Sequence, residues 1–247
     1  MCRLIGIVKK AEIPNDVLYD FISLASKGRV PTSRSERGHK DGWGFAGFRQ
    51  GRPYYMARSP INVLNDPHVD TCIGIACHAE TPFLFGHIRK SSRTPPALQN
   101  THPFMRNGWL FCHNGTVFNQ EKLTSRKYPP EGETDSEAIF LFLLERIRNK
   151  KGRAALPALR MGLEELRKFA RFSSLNFLLS DGRVLYAFRE YNPKCREGGY
   201  RSATELKSYY TLFYAIEPCG TIICSEPLNA PRRWISFNNR ELRVYTV

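Results

Sequence analysis

The amino-acid sequence predicts an α+β fold. Strand-like patterns open the chain, two helical patterns occupy its middle, and strand-like patterns return in the last third. That order differs from the regular β–α alternation of a parallel α/β sheet. The 247 residues suffice to bury a sizeable core. The sequence has no internal repeat, low-complexity linker or break in composition, so one domain spanning 1–247 is expected.

The first strand is expected at Arg3–Val8, where Leu4, Ile5, Ile7 and Val8 are apolar. Asp16–Ser26 carries apolar residues at 17, 18, 21, 22, 24 and 25, a helical spacing, with Asn15 or Asp16 as the cap. Residues 27–42 are rich in Gly, Ser, Arg and Lys and read as a loop. Phe45–Phe48 and Tyr54–Met56 form a hairpin pattern around Gln50-Gly51. Further strands are expected at Cys72–Cys77, Leu84–Ile88 and Trp109–His113. Glu137–Arg148 is a helix pattern, and Thr134 with Glu137 three residues on makes a capping box. Ala154–Phe169 is a second amphipathic helix with Pro157 near its start. Strand patterns follow at Leu175–Leu179, Val184–Phe188, Tyr209–Tyr214, Gly220–Cys224 and Leu242–Val247. Turns at Ser180-Asp181-Gly182 and Glu197-Gly198-Gly199 punctuate them.

Composition narrows the function classes. Apolar residues make up 42% and charged residues 24%, which is ordinary for a water-soluble globular chain. No apolar run approaches the ~20 residues of a membrane span. The apolar stretch in MCRLIGIVKK is too short for a secretory signal. A cytoplasmic protein without a membrane partner is therefore expected. Seven cysteines, an odd number at irregular spacing, form no disulfide framework. Cys72, Cys77, His78, Cys112 and His113 lack the paired spacings of a metal site, so no metal is expected. No P-loop and no G-x-G-x-x-G is present, so no cofactor is expected. The net charge of +14 suits an anionic partner or substrate. The basic residues are nevertheless dispersed, and the densest run, Arg146–Arg171, reads as a solvated helical face. No nucleic-acid motif accompanies them, which argues against that partner.

The chemistry-bearing residues sit in short glycine-containing motifs. Cys2 follows Met1, so removal of one methionine places a thiol and a free α-amine on the same residue, and the amine can take the thiol proton. Arg89 ends a strand pattern and can fork onto a carboxylate. Asp135 stands at a helix start and can pair with an ammonium. The Asn114 side-chain amide and the Gly115 backbone N–H can hold an oxyanion. Each residue also has a plain structural reading. Cys2 can open a strand, Asn-Gly is a turn dipeptide, Asp135 complements a helix N-terminus and Arg89 is a surface cation. Together they supply what cleavage of an amide bearing an amino-acid head group requires: nucleophile, oxyanion donors, a cation and an anion.

These motifs carry a family resemblance. MC-x-L-x-G at 1–6, HKDGWG at 39–44, GHIRKSS at 86–92, NTHPF at 100–104, HNG at 113–115, GETDSE at 132–137 and LLSDGR at 178–183 occur in family order along nearly the whole chain. The chain resembles the class II glutamine amidotransferases, and within them the stand-alone YafJ-like branch. That branch is also similar to the γ-glutamyl amidohydrolases of ergothioneine synthesis and glutathione degradation. The resemblance implies a four-layer αββα sandwich of the N-terminal-nucleophile (Ntn) hydrolase type. It implies Cys2 as nucleophile, Asn114 and Gly115 as oxyanion hole, Arg89 with Ser92 at the substrate α-carboxylate, and Asp135 at the α-ammonium. Trp43 and His102 match motif positions and are expected to shape the pocket or the structure. The substrate implied is glutamine or a γ-glutamyl compound. The alternatives are a glutaminase subunit serving a separate synthetase and a non-catalytic glutamine sensor. Two departures stand out. Lys90-Ser91-Ser92-Arg93 differs from the family's usual run after the arginine, which changes how that loop closes over glutamine. Asp70–Phe85 is longer than expected and is read as a distinct acceptor or substrate edge. The oligomeric state and the acceptor are not encoded in these motifs.

Overall fold

β1 (Arg3–Lys9) is buried at every position because both of its faces are covered. Its side chains divide by the period of two. Leu4 and Val8 point to one side, and Ile5 and Ile7 to the other. In the computed structural model, which describes residues 2–30, 38–91, 93–195 and 202–246, β1 is the central strand of a seven-stranded antiparallel sheet. Next to it run β4 (Phe83–Ile88), then β2 (Trp43–Arg49) and the edge strand β3 (Arg52–Ser59). On its other flank run β10 (Gly220–Cys224), β9 (Phe213–Glu217) and the two-residue β11 (Ile235–Ser236). A second antiparallel sheet is ordered β12 (Glu241–Tyr245), β8 (Leu185–Arg189), β7 (Asn176–Ser180), β6 (Trp109–Asn114) and β5 (Phe104–Arg106).

Three apolar cores separate four layers. Leu4, Val8, Phe85, Leu110, Leu178 and Leu185 fill the space between the two sheets. Ile5 and Ile7 meet α1 (Asn15–Lys27) through Val17 and Phe21, and α2 (Val69–His78) through Ile73 and Cys77. On the far side, Phe111, Phe177 and Leu179 meet α3 (Asp135–Ile147) and α4 (Leu156–Phe169). There the rings of Phe111 and Phe140 stack at 5.1 Å with planes 2° apart. The result is the αββα sandwich that the family resemblance implies. Among the described residues no helix is long and apolar enough to cross a membrane.

Most elements follow local chemistry. Gln50 and Gly51 adopt φ of 51° and 72°, the left-handed turn that joins twisted strands, and glycine enters it without strain. Thr134 Oγ1 accepts the Glu137 N–H at 3.1 Å. The Glu137 carboxylate does not complete the reciprocal box; it accepts from the Glu131 and Gly132 amides instead, at 2.9 and 2.7 Å. α1 begins after Pro14 without a side-chain cap, so neither Asn15 nor Asp16 caps it.

Two elements differ in type from expectation. Residues 72–77, expected as a strand, lie within α2. Cys72, Ile73, Ala76 and Cys77 are buried while Ile75 is 47% exposed, a helical pattern set by packing against α1. Residues 209–214, also expected as a strand, are divided between the end of α5 (Ala203–Tyr209) and the start of β9. Leu206, Tyr209 and Tyr210 form a small apolar cluster that holds this helical turn. The short strands β5 and β11 had no sequence pattern of their own. The expected turn at Glu197-Gly198-Gly199 lies outside the described residues.

Candidate active site

Cys2 stands immediately before β1, and Arg89 immediately after β4. Because Arg3 pairs with Ile88, the antiparallel register places Cys2 and Arg89 at the same end of the sheet. The second sheet brings Asn114 and Gly115, at the end of β6, to the same place. His87 of β4 reaches across the sandwich, its Nε2–H donating to the His113 carbonyl at 3.2 Å. The first residue of α3 is Asp135. These elements enclose a cleft of about 450 Å³ lined by Cys2, Arg89, His102, Gly115 and Asp135.

Cys2 is half-buried, and its thiol lies 3.7 Å from the Lys90 carbonyl oxygen. Burial pushes the thiol above its ordinary pKa. Arg89 pulls against that shift, and Asp135 adds to it. A thiol held in this state needs a base in order to attack. The neighbouring Arg3 is fully buried and fixes the backbone here. It donates to the Cys2 carbonyl at 3.4 Å and to the Arg29 carbonyl at 2.7 Å, and pairs with Glu226 at 2.5 Å. Its guanidinium lies over the Tyr209 ring, 4.6 Å from the centroid.

Asn114 is fully buried, and among the described residues neither its Nδ2 nor its Oδ1 has a hydrogen-bond partner. Native interiors rarely leave such an amide unsatisfied, and functional sites are where the exceptions collect. A Cβ on Gly115 would lie 1.9 Å from the Ser174 carbonyl oxygen, so only glycine fits this close backbone approach. His113 braces the pair. Its Nε2–H donates to the Ser174 carbonyl at 3.2 Å, and its Nδ1 accepts from Ser136 Oγ at 2.9 Å. Burial lowers His113 to about 4 and His87 to about 3, so both rings are neutral at neutral pH. His102, at the cleft wall, stacks on His87 at 4.0 Å. Among the described residues both of its ring nitrogens lack partners, and burial holds it well below the ordinary histidine value.

Arg89 is buried, and its guanidinium donates into its own loop. Nη1 reaches the Asp41 and Pro95 carbonyls at 3.2 and 3.3 Å. Nη2 reaches Ser91 Oγ at 3.2 Å, and Thr94 O and Oγ1 at 3.0 and 2.7 Å. Asp41 completes the clamp by accepting the Ser91 N–H at 2.7 Å. Opposite, Asp135 Oδ2 accepts the Val117 N–H at 2.6 Å. Ser92 lies outside the described residues. Trp43 stands apart from the cleft lining: it is buried beside Phe45, with Nε1–H donating to Asp66 at 3.0 Å. No residue of 70–85 lines the cleft either. That segment forms α2 and the start of β4, so it is not the substrate edge expected of it. Thr94, Arg93 and Glu133 also line the cleft, and no chemical pattern in the sequence marks Thr94 or Glu133.

The arrangement offers a thiol nucleophile, a cationic wall and a carboxylate wall; Gly115 lines the cleft, whereas Asn114, the residue before it, is fully buried and does not. Among the described residues no group of three His, Cys, Asp or Glu side chains is placed to hold a metal.

Comparison with known proteins shows the family. YafJ of Escherichia coli (strain K12) is 29% identical over 269 residues, covering 99% of this chain and 97% of that protein. The uncharacterized protein MJ1515 of Methanocaldococcus jannaschii is 30% identical and covers 99% of this chain and 69% of its own. The crystal structure of a predicted glutamine amidotransferase from Pseudomonas aeruginosa PA01 superposes with a TM-score of 0.58 at 24% identity, covering 99% and 97% of the two chains. The glutamine phosphoribosylpyrophosphate amidotransferase of B. subtilis shares the fold with a TM-score of 0.59 at 13% identity, over 99% of this chain and 49% of that one. The family model for class-II glutamine amidotransferases matches residues 1–246, and the chain belongs to that family.

Proposed function

We propose that this protein hydrolyses the side-chain amide of glutamine or of a γ-glutamyl compound, with Cys2 as the N-terminal nucleophile. The observation that carries this reading is the meeting of Cys2, Arg89, Gly115 and Asp135 in one cleft, from four separate parts of the chain. Removal of Met1 frees the Cys2 α-amine. The amine, directly or through water, accepts the thiol proton, and Sγ attacks the amide carbon. The carbonyl oxygen becomes an oxyanion held by the Asn114 amide and the Gly115 N–H. The intermediate collapses, the C–N bond breaks, and the Cys2 ammonium returns its proton to the departing ammonia or amine. Water then attacks the γ-glutamyl thioester, giving a γ-carboxylate and restoring the thiol. Asp135 pairs with the substrate ammonium, and the arginine wall meets its α-carboxylate.

The unpartnered Asn114 amide supports the oxyanion role, since a donor fixed in place needs no reorganisation when charge develops. The test is the intact mass of untagged protein before and after treatment with a diazo-ketone glutamine analogue. The expected result is a chain lacking Met1 that gains one adduct on Cys2, and excess glutamine prevents the gain. A retained Met1 with no adduct refutes the mechanism.

A further inference from the structure

We propose that Ser136 and His113 are positioning residues for the oxyanion hole: the Ser136 hydroxyl, acting through the His113 ring, ties the first turn of α3 to the backbone that carries the Gly115 N–H. This inference rests on the amidohydrolase reading above and names the residues that set the geometry of its transition-state donors.

An oxyanion donor stabilises a transition state only if it is already aimed when charge develops. A backbone N–H just past the end of a strand takes its aim from neighbouring contacts. Here those contacts come from α3, in which Asp135 and Ser136 are consecutive. Asp135 Oδ2 accepts the N–H of Val117, two residues after Gly115, at 2.6 Å. Ser136 Oγ donates to Nδ1 of His113, two residues before Gly115, at 2.9 Å. One helical turn grips the segment on both sides of the donor.

The His113 ring passes the second of these contacts on to Gly115. A neutral imidazole has one N–H and one lone pair, and both are used here. Nδ1 accepts from Ser136, and Nε2–H donates to the Ser174 carbonyl at 3.2 Å. A Cβ on Gly115 would lie 1.9 Å from that same carbonyl oxygen and 2.8 Å from His113 Nε2. The ring edge and its acceptor are therefore the wall against which Gly115 rests. The main chain of His113 is held from the other sheet, where His87 Nε2–H donates to its carbonyl. With carbonyl and ring both fixed, rotation of the peptide units leading to Gly115 is restrained. His113 and Ser136 are both buried, so water competes little for their bond. Ser136 also lines the cleft, next to the carboxylate assigned to the substrate ammonium. Its hydroxyl nevertheless acts on the oxyanion side.

The experiment uses the full chain with Met1 removed and compares Ser136→Ala and Ser136→Thr with the parent. Three quantities are read: kcat for ammonia release from glutamine, the calorimetric Kd for glutamate, and the rate of Cys2 alkylation by iodoacetamide. That alkylation is a displacement at carbon that develops no carbonyl oxyanion. Ser136→Ala is expected to lower kcat about 10–100-fold, the effect of a small misplacement at a reacting centre. The glutamate Kd and the alkylation rate are expected to stay within about threefold, because only an interaction made in the transition state is lost. Ser136→Thr keeps the hydroxyl and is expected to recover most of kcat. A Ser136→Ala variant with the parent's kcat overturns the assignment, as does a Ser136→Thr variant no faster than Ser136→Ala. Glutamate binding or alkylation that weakens in step with kcat also overturns it, since Ser136 then supports the cleft as a whole. A parent that neither hydrolyses glutamine nor binds glutamate overturns the amidohydrolase reading and this one with it.

Discussion

Asn114→Ala separates function from stability in a way few substitutions do. The side chain is fully buried, and among the described residues both polar atoms of its amide lack partners. Leaving a buried polar group unsatisfied costs about 1–3 kcal/mol, and truncation to alanine removes that penalty. The truncation also leaves a small cavity, which costs about 1 kcal/mol. The two terms nearly cancel or favour the variant, so stability is expected to stay level or rise by about 1 kcal/mol. For a chain of this size that corresponds to a Tm increase of up to about 2–4 °C. Turnover responds in the opposite sense, because removal of one oxyanion donor costs about 100–1000-fold in kcat. The assays are thermal denaturation followed by circular dichroism and ammonia release from glutamine. A Tm that falls by more than about 5 °C while kcat holds would refute the reasoning and make Asn114 an ordinary structural residue.

The other predictions concern the scaffold around the cleft. His113 and His87 have folded pKa values lowered to about 4 and 3, so the unfolded chain binds more protons below the ordinary histidine value. Stability is expected to fall as pH drops from about 6.5 toward 4; His113→Gln should flatten that slope, and a variant with the parent's full slope would count against it. Glu226→Ala strands the fully buried Arg3 guanidinium and is expected to cost about 3–5 kcal/mol in urea denaturation. Replacing both partners with methionine should recover most of that loss, and a single variant as stable as the parent would contradict it. Glu137→Ala removes the acceptor of the Glu131 and Gly132 amides. It is expected to cost about 2–4 kcal/mol and to raise KM, because Glu133 of the cleft wall follows directly; a loss below about 0.5 kcal/mol would show that the loop holds without it.

The sequence by itself determined the features whose physics is local. β1 was readable because Leu4, Ile5, Ile7 and Val8 serve two buried faces. The start of α3 was readable because a threonine cap needs only an amide three residues away. The Gln50-Gly51 hairpin was readable because the turn constrains φ at those two residues alone. The motifs around Cys2, Arg89, Asn114 and Asp135 named the candidate chemistry before any geometry was known. Tertiary structure decided whatever depends on contacts between distant segments. Residues 72–77 have an apolar run that suits strand or helix equally, and the surface of α1 selects the helix. Gly115 reads as a turn residue until the Ser174 carbonyl occupies the space of its side chain. Arg89 reads as a surface cation until the structure buries it at the cleft, with its donors on Asp41, Ser91, Thr94 and Pro95. Burial, orphaned polar atoms and the identity of a partner belong to pairs of segments far apart in the chain, so residue patterns along it do not record them.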